Sequence, residues 1–131
     1  MVIDTSAFVA IFFAEPERQS FRNAIVAAET RLVSAVSLFE TGVVLESRIG
    51  GGAGREFDLF VIRSKVEVIA VDAEQAELAR SAWRRYGKGR HPAALNFGDC
   101  FAYALAKSSG EPILAKGTDF VRTDIELWSA N

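Results

Sequence analysis

Short apolar runs alternate along this chain with stretches whose apolar residues recur at helical spacing. Val2-Ile3 reads as a buried strand that stops at Asp4. Thr5 or Ser6 can cap a following helix with Phe8, Ile11 and Phe12 on one face, until Glu15-Pro16-Glu17 breaks it. Phe21, Ala24, Ile25 and Ala28 mark a second helix. Arg31 to Val36 is apolar and rich in β-branched residues, and predicts the second strand. Ser37 opens a helix to about Ile49, which Gly50-Gly51-Gly52 ends. Phe57, Phe60, Val61 and Ser64 belong to another helix, and Val66 to Val71 is the third strand. Asp72 with Gln75 forms a capping pair for a helix carrying Ala76, Ala79, Trp83 and Tyr86 inward. Gly87 to Phe97 is a loop. Gly98-Asp99 opens the next helix, with Phe101, Ala102, Leu105 and Ala106 on its inner face. Pro112-Ile113-Leu114 is a fourth strand and Ile125 to Trp128 a short fifth.

This alternation predicts an α/β fold: one domain over residues 1–131, with a mostly parallel five-stranded sheet and helices on both faces. There is no repeat, no low-complexity tract and no interdomain linker; Gly50 to Gly54 is at most a hinge between helices. Composition narrows the picture further. Half of the 131 residues are hydrophobic and the net charge is only -2, which excludes an intrinsically disordered chain. The longest apolar run, Ala7 to Ala14, is too short to span a bilayer. The single Cys100 excludes an intrachain disulfide and a Cys-rich zinc site. With no basic leader before the first strand, the expectation is a cytoplasmic protein without a membrane partner.

Four carboxylates then stand out by position. Asp4 follows Val2-Ile3, Glu40 closes Ser37-Leu38-Phe39-Glu40, Asp99 closes Asn96-Phe97-Gly98-Asp99, and Asp119 lies in Lys116-Gly117-Thr118-Asp119-Phe120. Each lies just past a strand or in the first turns of a helix, where an open α/β sheet gathers its ligand-binding residues. Acids gathered in one crevice repel unless protons, basic groups or a metal compensate, and oxygen donors of this kind suit a hard divalent cation. Each acid also has a purely structural account. Glu40 can form a capping box with Ser37, Asp99 can serve a helix dipole, and Asp119 can make an Asx turn. Asp4 has the weakest such account, because a carboxylate at the end of a buried strand is costly unless compensated.

With those four set aside, 13 of the 17 acids remain against 15 Lys and Arg, so the rest of the surface is mildly basic and permits contact with phosphates. Other motifs are weak. Gly50 to Gly54 lacks the Lys-Ser/Thr of a phosphate-binding loop. His91 reads as a loop residue and Cys100 as a small buried hydrophobe.

The segments Val2-Ile3-Asp4-Thr5-Ser6-Ala7, Ser37-Leu38-Phe39-Glu40, Tyr86 to Cys100, and Lys116-Gly117-Thr118-Asp119-Phe120 with Thr123-Asp124-Ile125 stand in the order of a PIN-domain ribonuclease. The chain resembles in particular the VapC toxins of type II toxin–antitoxin pairs, over nearly its whole length. The resemblance implies Mg²⁺ or Mn²⁺ at Asp4, Asp99, Asp119 and Glu40, and hydrolysis of RNA. Asp4 and Asp99 would be principal ligands, Asp119 would complete the shell directly or through water, and Glu40 would position or deprotonate the attacking water. It also implies a cognate antitoxin, laid in an apolar groove near the site, and a homodimer within a toxin–antitoxin hetero-oligomer. The apolar residues for that groove are Phe8, Ile11, Phe12, Phe21, Ile25, Val43 and Val44. Lys88, Arg90 and Lys116, with Arg84, Arg85 and Arg122, form a candidate basic rim for RNA, and Thr5, Ser6 and Thr118 can bond to phosphate or to the carboxylates. The alternatives are a catalytically silent protein-binding module and a metal-dependent DNA nuclease or phosphatase.

Overall fold

The computed structural model describes residues 1–129. Its strands are β1 (Val2–Ile3), β2 (Leu32–Ser34), β3 (Glu67–Ile69) and β4 (Ile113–Leu114), and its helices are α1 (Thr5–Phe12), α2 (Arg18–Ala27), α3 (Ala35–Arg48), α4 (Gly51–Arg63), α5 (Ala73–Tyr86) and α6 (Phe97–Ser109). The sheet order is β3-β2-β1-β4 and every pairing is parallel. Val2 pairs with Leu32 on one side and with Ile113 on the other. Such central strands are buried on both faces, so they carry runs of Val, Ile and Leu instead of an alternation.

Two cores cover the two faces. One joins Phe8, Ile11, Ile25, Leu45, Phe57 and Val61 from α1 to α4; the other joins Ala79, Tyr86, Ala102, Tyr103 and Leu105 from α5 and α6. From β1 the chain moves outward through β2 to β3, then returns past β1 to β4. The direction of winding therefore reverses at β1 and β4, and the crevice at their carboxyl ends is where such sheets bind ligands. Among the described residues no helix is long and apolar enough to cross a membrane.

The structure corrects the sequence reading in several places. The sheet has four strands: of the expected fifth, only Leu127 bridges, to Ile113. α3 begins at Ala35, capped by the Ser34 hydroxyl, so Ser37 lies inside the helix and forms no capping box with Glu40. Gly50, at φ 127°, separates the helices, but Gly51 to Gly54 are the first residues of α4 and not a hinge. Poor helix formers are held there by packing, as Gly54 comes so close to Glu46 that a Cβ would overlap it. Asp4, not Thr5 or Ser6, caps α1. Asp72 caps α5 as expected, while the Gln75 side chain turns instead to Ser108 (2.6 Å).

Candidate active site

Asp4 is fixed by its cap. Its Oδ2 accepts from the Ser6 amide at 3.0 Å and from the Ser6 hydroxyl at 2.6 Å. The same Ser6 Oγ accepts from the Lys116 amide at 2.9 Å, so one hydroxyl joins the end of β1 to the segment after β4 that carries Asp119. Lys116 closes that segment down further through ion pairs with Glu15 and with Glu17, the latter at 3.2 Å. Hydrogen bonding to Glu15, then to Glu17, raises the Lys116 pKa and keeps it protonated. Downstream, Asp124 accepts from Tyr103 Oη at 2.7 Å and from Lys107 Nζ at 2.6 Å, tying the chain after Asp119 to α6.

Asp99 forms a reciprocal capping box: Asn96 Oδ1 accepts from the Asp99 amide and Asp99 Oδ2 from the Asn96 amide, at 2.9 and 3.0 Å. The expected capping role of Asp99 is present, and it leaves the second oxygen open, because Asp99 Oδ1 takes no protein donor among the described residues. Glu40, in the second turn of α3, is half-buried, and its carboxylate lies over Gly98: a Cβ at Gly98 would overlap both of its oxygens. α3 is braced on α1 by the Ser37 carbonyl, which accepts from Thr5 Oγ1 (3.3 Å) and Thr41 Oγ1 (2.7 Å).

Asp4 and Asp99 both feel the charges of the other acids. Burial, opposed by the two Ser6 hydrogen bonds, raises the pKa of Asp4, and the charges of Glu40 and Asp119 raise it further. Asp99 is pushed up to about 7, again chiefly by burial, with Asp4, Asp119 and Glu40 adding to the rise. No lysine or arginine contributes to either shift. Neither carboxyl thus has a cationic partner among the described residues. Among the described residues, no three His, Cys, Asp or Glu side chains are already drawn together as a closed cage. The donor set fits a hard, largely hydrated divalent cation: carboxylate oxygens only, two of them held rigidly by caps with one oxygen each left over. Mg²⁺ keeps several waters and needs only one or two direct carboxylates.

The rim residues fare unevenly. Thr5 is buried with its hydroxyl on the Ser37 carbonyl, whereas the Ser6 hydroxyl holds the Asp4 carboxylate. Lys116 is engaged by Glu15 and Glu17. Arg85 pairs with Asp124 at 3.5 Å. Lys88, Arg90, Thr118 and Arg122 are exposed. His91 Nδ1 accepts from the Ala93 amide (3.0 Å), and Cys100 is buried, both as read from the sequence. Sequence reasoning missed the functional weight of Gly98; its signal was a glycine next to a site acid inside a helix, where it costs stability.

Most of the residues expected to line an apolar groove pack into the core, although Ile11 and Phe12 also border an open cleft of about 440 Å³ with Val26 and Phe60. Phe8, Ile11 and Ile25 are buried, Phe12 and Phe21 pack half-buried against that core, and Phe8 and Phe57 meet edge to face at 5.0 Å. What remains open beside the acids is a depression of about 220 Å³ lined by Phe39, Val43, Val44 and Glu40.

The chain belongs to the PIN-domain family, whose model matches residues 1–126. Within that family it is most informatively compared with VapC proteins. It is 54% identical over 125 residues to Ribonuclease VapC30 of Mycobacterium tuberculosis, covering 95% of each chain. Its fold matches the crystal structure of Mycobacterium tuberculosis VapC20, a sarcin–ricin loop cleaving toxin, with a TM-score of 0.77, 21% identity and 95% of both chains covered. It also matches a chain of VapBC2 from Rickettsia felis, solved bound to a DNA fragment from their promoter, with a TM-score of 0.70, 15% identity and 98% of both chains covered.

Proposed function

We propose that this chain is a metal-dependent endoribonuclease and the toxin of a type II toxin–antitoxin pair. The observation that carries the reading is the coupling of Asp4, Glu40, Asp99 and Asp119 at one sheet edge with no protein cation to offset them. The 54% identity to a ribonuclease over nearly the whole chain supports it. Asp4 and Asp99 would hold Mg²⁺ or Mn²⁺, with Asp119 closing the shell. Bound there, such an ion would supply positive charge to the phosphoryl oxygens and would lower the pKa of a bound water. Glu40 holds the attacking water and takes its proton on a carboxylate oxygen as the new P–O bond forms. The P–O bond to the leaving ribose oxygen then breaks, and that oxygen takes up a proton from solvent, to which Glu40 returns its own. The caps on Asp4 and Asp99 keep both carboxylates aimed before the ion arrives, which lowers the cost of assembling the site.

A cognate antitoxin is the expected protein partner, and a homodimer the expected toxin unit. The depression walled by Phe39, Val43 and Val44 supports an apolar antitoxin segment there, because Phe39 is 74% exposed one residue from Glu40. The reading is tested by incubating the purified chain with RNA, DNA and a phosphomonoester under the same Mg²⁺, each with and without EDTA. Cleavage of RNA alone, lost in EDTA and restored by excess Mg²⁺ or Mn²⁺, is the expected result. Cleavage that persists after exhaustive chelation rules the metal mechanism out, and hydrolysis of DNA or the monoester at equal rates rules out an enzyme dedicated to RNA.

Gly98→Ala separates the site from the fold. Alanine favours helix more than glycine does, so thermal stability should stay close to that of the unaltered protein. The added methyl displaces the Glu40 carboxylate, and RNA cleavage should fall by about tenfold to a hundredfold. Unchanged turnover would show that the position of Glu40 does not matter to the reaction.

A further inference from the structure

Of the four acids, Asp119 is the least held. Asp4 and Asp99 are fixed by the caps they form and Glu40 lies over Gly98, whereas Asp119 is exposed and accepts no hydrogen bond among the described residues. It sits on a strap, residues 115–126, made of turns with neither helix nor strand. Within the strap only Phe120 is buried. The strap is pinned at its two ends. At one, the Lys116 amide donates to Ser6 Oγ in the first turn of α1, and the Lys116 ammonium pairs with Glu15 and Glu17 just past the end of the same helix. At the other, Asp124 accepts from Tyr103 Oη and Lys107 Nζ and pairs with Arg85. Asp99, Tyr103 and Lys107 recur at every fourth position and so share one face of α6. α1 is capped by Asp4 and α6 carries Asp99 in its first turn. The strap is therefore clamped to the two helices that fix the other principal acids.

Ion pairs whose partners are about a third exposed add little to the stability of a whole fold. Their effect here is local. One ammonium shared by two carboxylates restricts where a strap without secondary structure can lie, and a carboxylate that is to meet an ion needs that restriction. An RNA phosphate is a poorer partner for Lys116, because it would have to displace two carboxylates already in place. We propose that Lys116, through Glu15 and Glu17, and Asp124, through α6, are positioning residues for Asp119: together they set its place relative to Asp4 and Asp99 before an ion arrives. The proposal rests on the ribonuclease reading and deepens it, since it extends the site from four acids to the clamps that aim the exposed one.

The test compares the full chain with its variants by Mn²⁺ titration calorimetry without RNA and by cleavage kinetics with it. Lys116→Met keeps the length of the side chain and removes its charge. It should weaken Mn²⁺ binding by about fivefold to tenfold and lower kcat by about as much, with KM for RNA nearly unchanged. Lys116→Arg should recover most of both losses, because a guanidinium also pairs with carboxylates. Glu15→Gln with Glu17→Gln should match Lys116→Met and add little when combined with it. Asp124→Asn should show the same split between kcat and KM. In an Asp119→Asn background Lys116→Met should cost little more, since the clamp then aims no carboxylate. Unaltered Mn²⁺ affinity and kcat in Lys116→Met and in the Glu15→Gln, Glu17→Gln pair overturn the proposal. So do additive losses from Lys116→Met and Asp119→Asn. A change confined to KM, with a flatter dependence on salt, overturns it in favour of a direct Lys116 contact to phosphate. Should Lys116→Met fail to fold, the glutamine pair, which keeps the size of both side chains, decides the same question. A protein that binds Mn²⁺ but cuts no RNA sinks the ribonuclease reading alone, and the calorimetry still decides the clamp.

Discussion

Asp4→Asn or Asp99→Asn should reduce RNA cleavage by about two orders of magnitude or more, with the protein still folded. Each change removes a full charge from a group that would hold the ion, while its amide oxygen can still accept the capping hydrogen bonds from Ser6 or Asn96. Loss of the metal's electrostatic work, not loss of the helix caps, is therefore what the assay reads. Isothermal titration with Mn²⁺ should show the same variants binding the ion much more weakly. Near-normal turnover in either folded variant would remove that residue from the metal-holding set.

The apo protein should lose stability as pH rises from about 4 to 7, and added Mg²⁺ should return it. Burial and the neighbouring acids raise Asp99 to about 7 from an ordinary 3.8, so across that window the folded state retains a proton that the unfolded chain has released. The folded state thus binds more protons than the unfolded one, and unfolding free energy falls with increasing pH until Asp99 is ionised in both states. The raised pKa of Asp4 acts in the same direction. The penalty at pH 8 is of order 2–4 kcal/mol for Asp99 alone, taken from roughly three pH units of displacement. Urea melts at pH 5 and 8 in EDTA measure it. Asp99→Asn should flatten the slope and be more stable than the unaltered apo protein at pH 8. Saturating Mg²⁺ should stabilise the unaltered protein at pH 8 by a few kcal/mol, and by much less at pH 5, where protons compete for the same oxygens. An apo protein more stable at pH 8 than at pH 5 would contradict the burial of these acids.

Both expectations rest on residues whose placement was legible in the sequence, though not always for the reason first given. Asp4 stood out because a carboxylate at the end of a buried strand is costly unless compensated, although the structure also gives it a structural task, the cap of α1. Glu40 was found despite a wrong helix start: Ser34 and Ser37 are both sound caps, and only the register of β2 against β3 decides that the strand ends at Ser34. The glycine tract misled because local propensity opposes a helix there, while Phe57 and Val61, packed in the core, impose one. The fifth strand failed because a single bridge, Leu127 to Ile113, satisfies that edge. The Arg90–Trp83 stack and the Lys116 ion pairs join residues by tertiary geometry, which spacing along a chain does not encode.

The reversal of the sheet at β1 and β4 also means that no contiguous piece of the chain owns the chemistry. Cut at Gly50, the sequence leaves Asp4 and Glu40 with β1 and β2 on one fragment, and Asp99 and Asp119 with β3 and β4 on the other. Because β3 and β4 lie on opposite outer edges, the second fragment would have to clasp the first from both sides before four acids met. Activity from two separately expressed halves would then be a direct signal of their reunion, so the chain can be divided into a two-part reporter whose readout is the breakage of RNA.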